Sequence, residues 1–171
     1  MKALIFLVPE GFRDEEFAVP KVRLQQAGVS VTVAGLQSGK ARGMLGMTAE
    51  PDILLSDVHA GDYDAFILPG GGGSQRHLWN NLRVLSIIEE AYDKGKVVAA
   101  ICLSGAVLAN AGILRNKNAT VFSTPQTLKV FHDAGVKYVP QHVVVDGRIV
   151  TADGPEAAEE FADAVLSLLG I

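Results

Sequence analysis

The stretch Lys96–Leu114, KVVAAICLSGAVLANAGIL, decides the fold. After Lys96 its next five residues, VVAAI, are apolar and β-branched or small, as in a strand buried on both faces. The following LSGAVLANAG has helical composition and closes on Gly112. No loop separates the two, so the chain passes from strand to helix through a sharp elbow. The only cysteine, Cys102, stands at that elbow. A residue there is held above the sheet edge next to a helix N-terminus, where unpaired N–H groups favour an anion. A thiolate is such an anion, and the expected pKa of Cys102 lies below the free-thiol value. Ser104 and Gly105 are small and would let a substrate, or an oxidised sulfur, come close. The alternative is a cysteine that merely fills space as a small buried hydrophobe.

Four further apolar runs have strand length: 3–8 (ALIFLV), 29–35 (VSVTVAG), 64–69 (DAFILP) and 143–151 (VVVDGRIVT). The last folds back on itself at Asp146-Gly147 as a hairpin. Helical patterns separate the runs. EEFAVPKVRLQQAG ends at Gly28. NLRVLSIIEEAYDKG places Leu85, Ile88 and Tyr92 on one face and ends at Gly95. TPQTLKVFHDAG has Thr124 as N-cap, Pro125 at the first helical position and a stop at Gly135. PEAAEEFADAVLSLLG sets Phe161, Val165 and Leu168 at helical spacing. Residues 40–50, KARGMLGMTAE, read as a small glycine-rich hairpin. Strands alternating with helices imply an open, mostly parallel α/β sheet, in one domain over residues 1–171.

The chain has 171 residues and a net charge of −4. That balance, with no basic run, argues against a nucleic-acid surface and against an acidic membrane as partner. The N-terminal MKALIFLVPEG is cut by Pro9-Glu10 and lacks a small-residue cleavage site, so it reads as a first core strand rather than a signal peptide. No run approaches the roughly 20 apolar residues of a membrane span. One cysteine permits no internal disulfide, and the expected location is the reducing cytoplasm.

Ligands of such sheets bind beyond the carboxyl ends of the strands. Three loops leave those ends with unusual chemistry: PEGFRDEEF (9–17), PGGGGSQRH (69–77) and CLSG (102–105). They are expected to converge. In the first, Pro20 cannot donate to the carbonyl of Glu16, so the helix should be kinked or start late and aim Glu16 inward. A carboxyl touching a thiolate must share a proton with it, which predicts a raised Glu16 pKa. The glycine run lacks the Gly-Lys-Ser/Thr of a P-loop and does not fit G-x-G-x-x-G, so no nucleotide or flavin is expected. Its free N–H groups, with those after Cys102, suit an oxyanion. A plain flexible turn is the competing reading. His59, His77, His132 and His142 show no H-x-x-x-H spacing, and no metal is expected.

AAIC before a small-residue elbow (99–102), ILPGG (67–71), DEEFAVP (14–20) and VTADGP (150–155) occur in an order that resembles the ThiJ/PfpI superfamily over essentially the whole chain. The resemblance implies a flavodoxin-like three-layer sandwich, similar to class I glutamine amidotransferases, and commonly a homodimer. It implies Cys102 as nucleophile, Glu16 as the acidic group at its sulfur, and backbone donors at Gly70, Gly71 and Leu103, with Ser104, Thr124 and Asp153 around them. Members act without cofactor on small aldehydes as glyoxalases or deglycases, or serve as peptidases, chaperones or oxidation sensors. This chain departs from them in places. One branch has histidine directly after the cysteine, where Leu103 stands here. Another has histidine before the proline, where Thr124 stands. Arginine is frequent where Asp153 stands, and no H-x-E follows near the C-terminus. Glutamine amidotransferase and protease chemistry are therefore not expected. The remaining expectation is a cysteine enzyme converting methylglyoxal to lactate, or a stress sensor whose Cys102 oxidises to a sulfinate.

Overall fold

The computed structural model describes residues 1–171. Seven strands build the main sheet: β1 (Lys2–Leu7), β2 (Ser30–Gly35), β3 (Ile53–Leu54), β4 (Ala65–Leu68), β5 (Val97–Ile101), β6 (Val143–Asp146) and β7 (Ile149–Ala152). Their order is β6-β7-β5-β4-β1-β2-β3. All neighbours pair in parallel except β6 and β7, the antiparallel hairpin around Asp146-Gly147. Ala3 to Leu7 and every residue of β4 and β5 are buried, so both faces of the central strands are covered. That explains why these strands are continuous apolar runs without alternation.

Six helices cover the sheet: α1 (Asp14–Gln26), α2 (Gly72–His77), α3 (Leu82–Asp93), α4 (Gly105–Asn110), α5 (Pro125–Asp133) and α6 (Ala158–Leu168). α1 and α6 pack on each other over one face; α3 and α4 cover the other, with α5 beside α4. The result is the expected three-layer α/β sandwich. One contiguous apolar cluster runs through all three layers. No helix is long and apolar enough to cross a membrane.

Local chemistry sets the helix ends. Thr124 and Thr127 form a reciprocal capping box, Thr127 N–H to Thr124 Oγ1 at 3.0 Å and Thr124 N–H to Thr127 Oγ1 at 2.8 Å, with Pro125 next. Asn81 caps α3 through Arg83 and Val84 N–H. The buried stripe of α3 is Val84, Ile87, Ile88 and Ala91, not the expected Leu85, Ile88 and Tyr92. Tyr92 lies at the stripe's edge, its ring under the Lys117 ammonium. α1 does not start late: it begins at Asp14 and runs through Pro20.

A second, three-stranded sheet lies over the first loop. Glu10–Phe12 runs parallel to Ala41–Gly43, which pairs antiparallel with Thr48–Ala49 as the expected hairpin. Asp14, largely buried, holds it there. Its carboxylate accepts from Leu45 N–H at 3.1 Å and Met47 N–H at 3.0 Å.

Candidate functional site

β5 ends at Ile101, and Cys102–Ser104 make a single 3-10 turn before α4. Cys102 has φ 61°, in the left-handed region; Asn116 is the one other non-glycine residue there. Such backbone is strained for an L-residue and persists only when its surroundings fix it. Here three elements do so. Phe122 N–H donates to the Cys102 carbonyl at 3.2 Å. Trp79 Nε1 donates to the Leu103 carbonyl at 2.9 Å. Ser104 Oγ donates to the Pro69 carbonyl and shares a 2.6 Å hydrogen bond with Ser74 Oγ.

The three loops converge as expected. Arg13, Glu16, Met44, Gly71, Gly72, Cys102, Leu103, Phe122 and Pro155 enclose a cavity of about 210 Å³. Glu16, the third residue of α1, is fully buried. Its Oε1 accepts from Gly70 N–H at 2.9 Å, while Oε2 has no hydrogen-bond donor. Gly70 is wedged between the two functional groups: a Cβ on it would stand 2.6 Å from Cys102 Cβ and 2.7 Å from Glu16 Oε1. The N–H groups of Gly71 and Leu103 lie near enough to the sulfur to favour its charged form.

Burial pushes the Glu16 carboxyl up to about 7, against the pull of Gly70 N–H, the thiol and the Arg13 guanidinium. The thiol is also pushed up, to about 12, first by burial and then by the Glu16 charge; the Gly71 and Leu103 N–H groups only partly offset this. The raised carboxyl matches expectation. The lowered thiol does not. The helix after the elbow is only six residues long, and its N-terminal field is outweighed by desolvation and a like charge. The two groups therefore titrate as a pair that keeps one proton across neutral pH. With the proton on sulfur the site is thiol and carboxylate. With it on Oε2 the site is thiolate and carboxylic acid, and two backbone donors favour that form.

The other anticipated residues divide. Gly70 is a donor, but to Glu16 rather than to a substrate oxygen. Ser104 is buried and tied to Pro69 and Ser74, so it braces the elbow without facing the cavity. Gly105 is small because Val121 and the Thr120 carbonyl press against it. Thr124 caps α5 and does not line the cavity. Asp153 pairs with His142, Oδ2 to Nδ1 at 3.1 Å, in an adjoining groove. His77 faces Glu10 at 3.4 Å, and no histidine lines the sulfur's cavity.

Sequence reasoning missed Arg13, Met44, Phe122 and Pro155. Arg13 has a visible signal, a lone cation inside an acidic run. It anchors the first loop, its N–H donating to the Gly70 carbonyl at 2.9 Å and its guanidinium to Glu15 at 3.0 Å.

The DJ-1/PfpI family model matches residues 1–168. A deglycase of Pyrococcus horikoshii is 34% identical over 152 residues, covering 89% of this chain and 90% of that protein. The crystal structure of a ThiJ/PfpI domain protein from Brachyspira murdochii superposes with a TM-score of 0.94 at 32% identity, covering 99% of this chain and 96% of that one. The solved structure of oxidised DJ-1 from Toxoplasma gondii gives 0.86 at 28% identity, with 98% of this chain and 90% of that one covered.

Proposed function

Because this chain belongs to the DJ-1/PfpI family, we propose that it is a cofactor-free enzyme of the glyoxalase/deglycase type, acting on small reactive aldehydes through Cys102 and Glu16. The observation that carries the reading is a fully buried carboxyl, held by Gly70 N–H, beside a sulfur at a strained elbow.

With methylglyoxal the steps balance without an external oxidant. The shared proton passes from Cys102 to the Glu16 carboxylate, the thiolate adds to the aldehyde carbon, and Glu16 gives the proton to the resulting alkoxide, forming a hemithioacetal. The oxygen that gains charge lies against the Gly71 and Leu103 N–H groups, which stabilise it. Glu16, as carboxylate, removes the proton from the former aldehyde carbon and delivers it to the adjacent ketone carbon, while the hydroxyl proton of the hemithioacetal moves to the ketone oxygen. The first carbon is thereby oxidised to a thioester and the second reduced to an alcohol. Water hydrolyses the thioester, releasing lactate and restoring the thiol. One nucleophile and one acid/base suffice, so histidine is dispensable. The P. horikoshii relative's description as a deglycase supports the same chemistry on adducts of such aldehydes.

The test is lactate formation from methylglyoxal by the purified protein. Turnover should vanish in Cys102→Ser and Glu16→Ala; activity retained in either overturns the mechanism. A second reading, oxidation sensing, is favoured by the same two N–H groups, which would hold the oxygens of a sulfinate. A Cys102 that gains no oxygen under mild peroxide, read by mass spectrometry, rejects it.

We also propose a cytoplasmic homodimer. Half-exposed Val22 on α1 and Met47, Thr48 and Ala49 beside it line one shallow cleft, rimmed by Lys21, Glu50 and Asp52, which could seat a second copy. Light scattering on the Val22→Glu variant tests it: a wild-type monomer, or a dimer unaltered by the charge, rejects this face.

A further inference from the structure

The run Glu10–Glu16, EGFRDEE, holds four carboxylates and one cation, Arg13. Arg13 is the N-cap of α1, and its side chain makes no capping hydrogen bond. That choice is locally unfavourable twice over. An N-cap favours a short side chain that accepts from the first free N–H groups, and the positive end of a helix repels a cation. A residue that breaks the local rule points to a use elsewhere. The use lies in the Cys102 cavity, which Arg13 lines as its only cation. The guanidinium is close enough to feel the charges of Glu16 and of the sulfur. Its Nε and Nη2 donate to Glu15 at 3.0 to 3.2 Å, while Nη1 donates to nothing. The outer end of the fork, one N–H of Nη1 and the second of Nη2, is therefore open, in the geometry that takes both oxygens of a carboxylate. A second polar group of the same cavity also lacks a partner: Glu16 Oε2, fully buried. The side chains of Met44, Leu103, Phe122 and Pro155 around them are apolar. A ligand that answers both groups carries one oxygen at its reacting carbon, for Oε2, and a second, charged acceptor for Arg13.

We propose that Arg13 is the specificity-determining residue of the site and selects small electrophiles that bear a carboxylate close to the reacting carbon over neutral ones. The inference rests on the reading of Cys102 as a nucleophile open to small electrophiles, and it adds their class. The cavity, about 210 Å³, limits the molecule to a few carbons. Pairing with the open end of the guanidinium fixes the molecule at its far end and so orients the reacting carbon toward the sulfur. Methylglyoxal carries no charge and forgoes this contact; an oxoaldehyde of similar size with a carboxylate makes it.

The test compares matched anionic and neutral reagents for Cys102. Iodoacetate and iodoacetamide, nearly equal in shape, both lose iodide to the thiolate. The 2-sulfonatoethyl and 2-hydroxyethyl methanethiosulfonates, which lose methanesulfinate, ask the same at a longer reach. Second-order rates of labelling are read by mass spectrometry as the anionic-to-neutral ratio of each pair, in which changes of sulfur reactivity cancel. A small neutral thiol at the same pH and salt sets the reference ratio. In the wild type at least one pair should exceed the reference about tenfold, the low end for a charge focused in a cleft. Arg13→Gln keeps the backbone N–H that donates to Gly70 and alters only a partly exposed side chain, so the fold should stand. In this variant the ratio should drop to the reference. Arg76→Gln removes a cation from α2 that does not line the cavity, and should leave the ratio alone. Wild-type ratios at the reference in both pairs overturn the role of Arg13. So does a raised ratio that survives Arg13→Gln or falls equally in Arg76→Gln. Each of these leaves the proposed reaction standing, whereas a Cys102 that no reagent labels overturns both.

Discussion

Gly70 and Glu16 are locked together: the glycine N–H holds Oε1 at 2.9 Å, and its Cα faces Cys102 so closely that no side chain fits between. The glycine therefore sets the distance between acid and nucleophile. Gly70→Ala should push the two apart. We expect kcat/KM to fall about 10²-fold, the scale of an ångström-sized misplacement, with a lower melting temperature. Wild-type turnover in a folded Gly70→Ala protein would show that the spacing is not critical.

The raised Glu16 pKa carries a stability cost with a definite sign. In the folded state the carboxyl titrates near 7, against 4.5 in its ordinary setting. The folded protein therefore holds more protons than the unfolded chain between those values, and stability falls as pH rises through the window. The full effect is about 3 kcal/mol. Glu16→Gln removes the charge and should flatten the pH profile of denaturant midpoints between 4.5 and 7. At pH 8 it should be the more stable protein and inactive. A variant with the wild-type pH profile would mean that another group causes the fall.

Rate should follow the same pair. Below about 7 both groups are protonated and no thiolate forms; above it one proton is shared. kcat/KM should rise with pH through about 7 and hold until the second proton leaves, far into alkali. A rate that is flat from pH 5 to 8 contradicts a shared-proton pair.

Much of this was legible from local signals. The apolar run into CLSG announced the elbow, Thr124-Pro125 the cap of α5, and Asp146-Gly147 the hairpin. Each depends on residues adjacent in the chain. The sequence also placed Glu16 at the sulfur, through the motif around it. What stayed hidden depends on pairs far apart in the chain. Gly70 N–H belongs to Glu16, 54 residues away, and Asp14 reaches 31 and 33 residues to the second hairpin. The direction of the thiol shift was misread for the same reason: the dipole of α4 is local and visible, while burial by Phe122, Pro155 and Met44 is not.

Asp14 is the clasp of the cavity's outer wall. It alone ties the Met44–Met47 tip to α1 through side-chain hydrogen bonds. Asp14→Ala should speed hydrogen exchange at the Leu45 and Met47 amides at least about tenfold, since each buried bond is worth about 1 kcal/mol or more. KM should rise more than kcat falls, because Met44 lines the substrate cavity without touching the proton pair. Unchanged exchange at both amides would show that strand pairing alone holds the tip.

The elbow's strain is resisted from beneath by two hydroxyls, Ser74 and Ser104, 2.6 Å apart and fully buried, with Ser104 also on the Pro69 carbonyl. Removing the Ser104 hydroxyl leaves that of Ser74 unpaired, which costs the desolvation of a buried polar group, about 1–3 kcal/mol, while removing that of Ser74 leaves Ser104 its bond to the Pro69 carbonyl and costs less. Removing both restores an apolar match on that side and leaves only the Pro69 carbonyl unsatisfied. Ser74→Ala and Ser104→Ala should therefore each destabilise the protein, and the double variant should lose less than their sum. The coupling should be about 1 kcal/mol, read from denaturant midpoints in a double-mutant cycle. Of the two, Ser104→Ala should also slow Cys102 labelling by a neutral thiol reagent. It alone releases the turn that keeps Cys102 in its left-handed conformation, while Ser74 lies one step further from the sulfur. Additive losses, or labelling that slows equally in both variants, would mean that the pair fills space beneath the elbow and does not brace it.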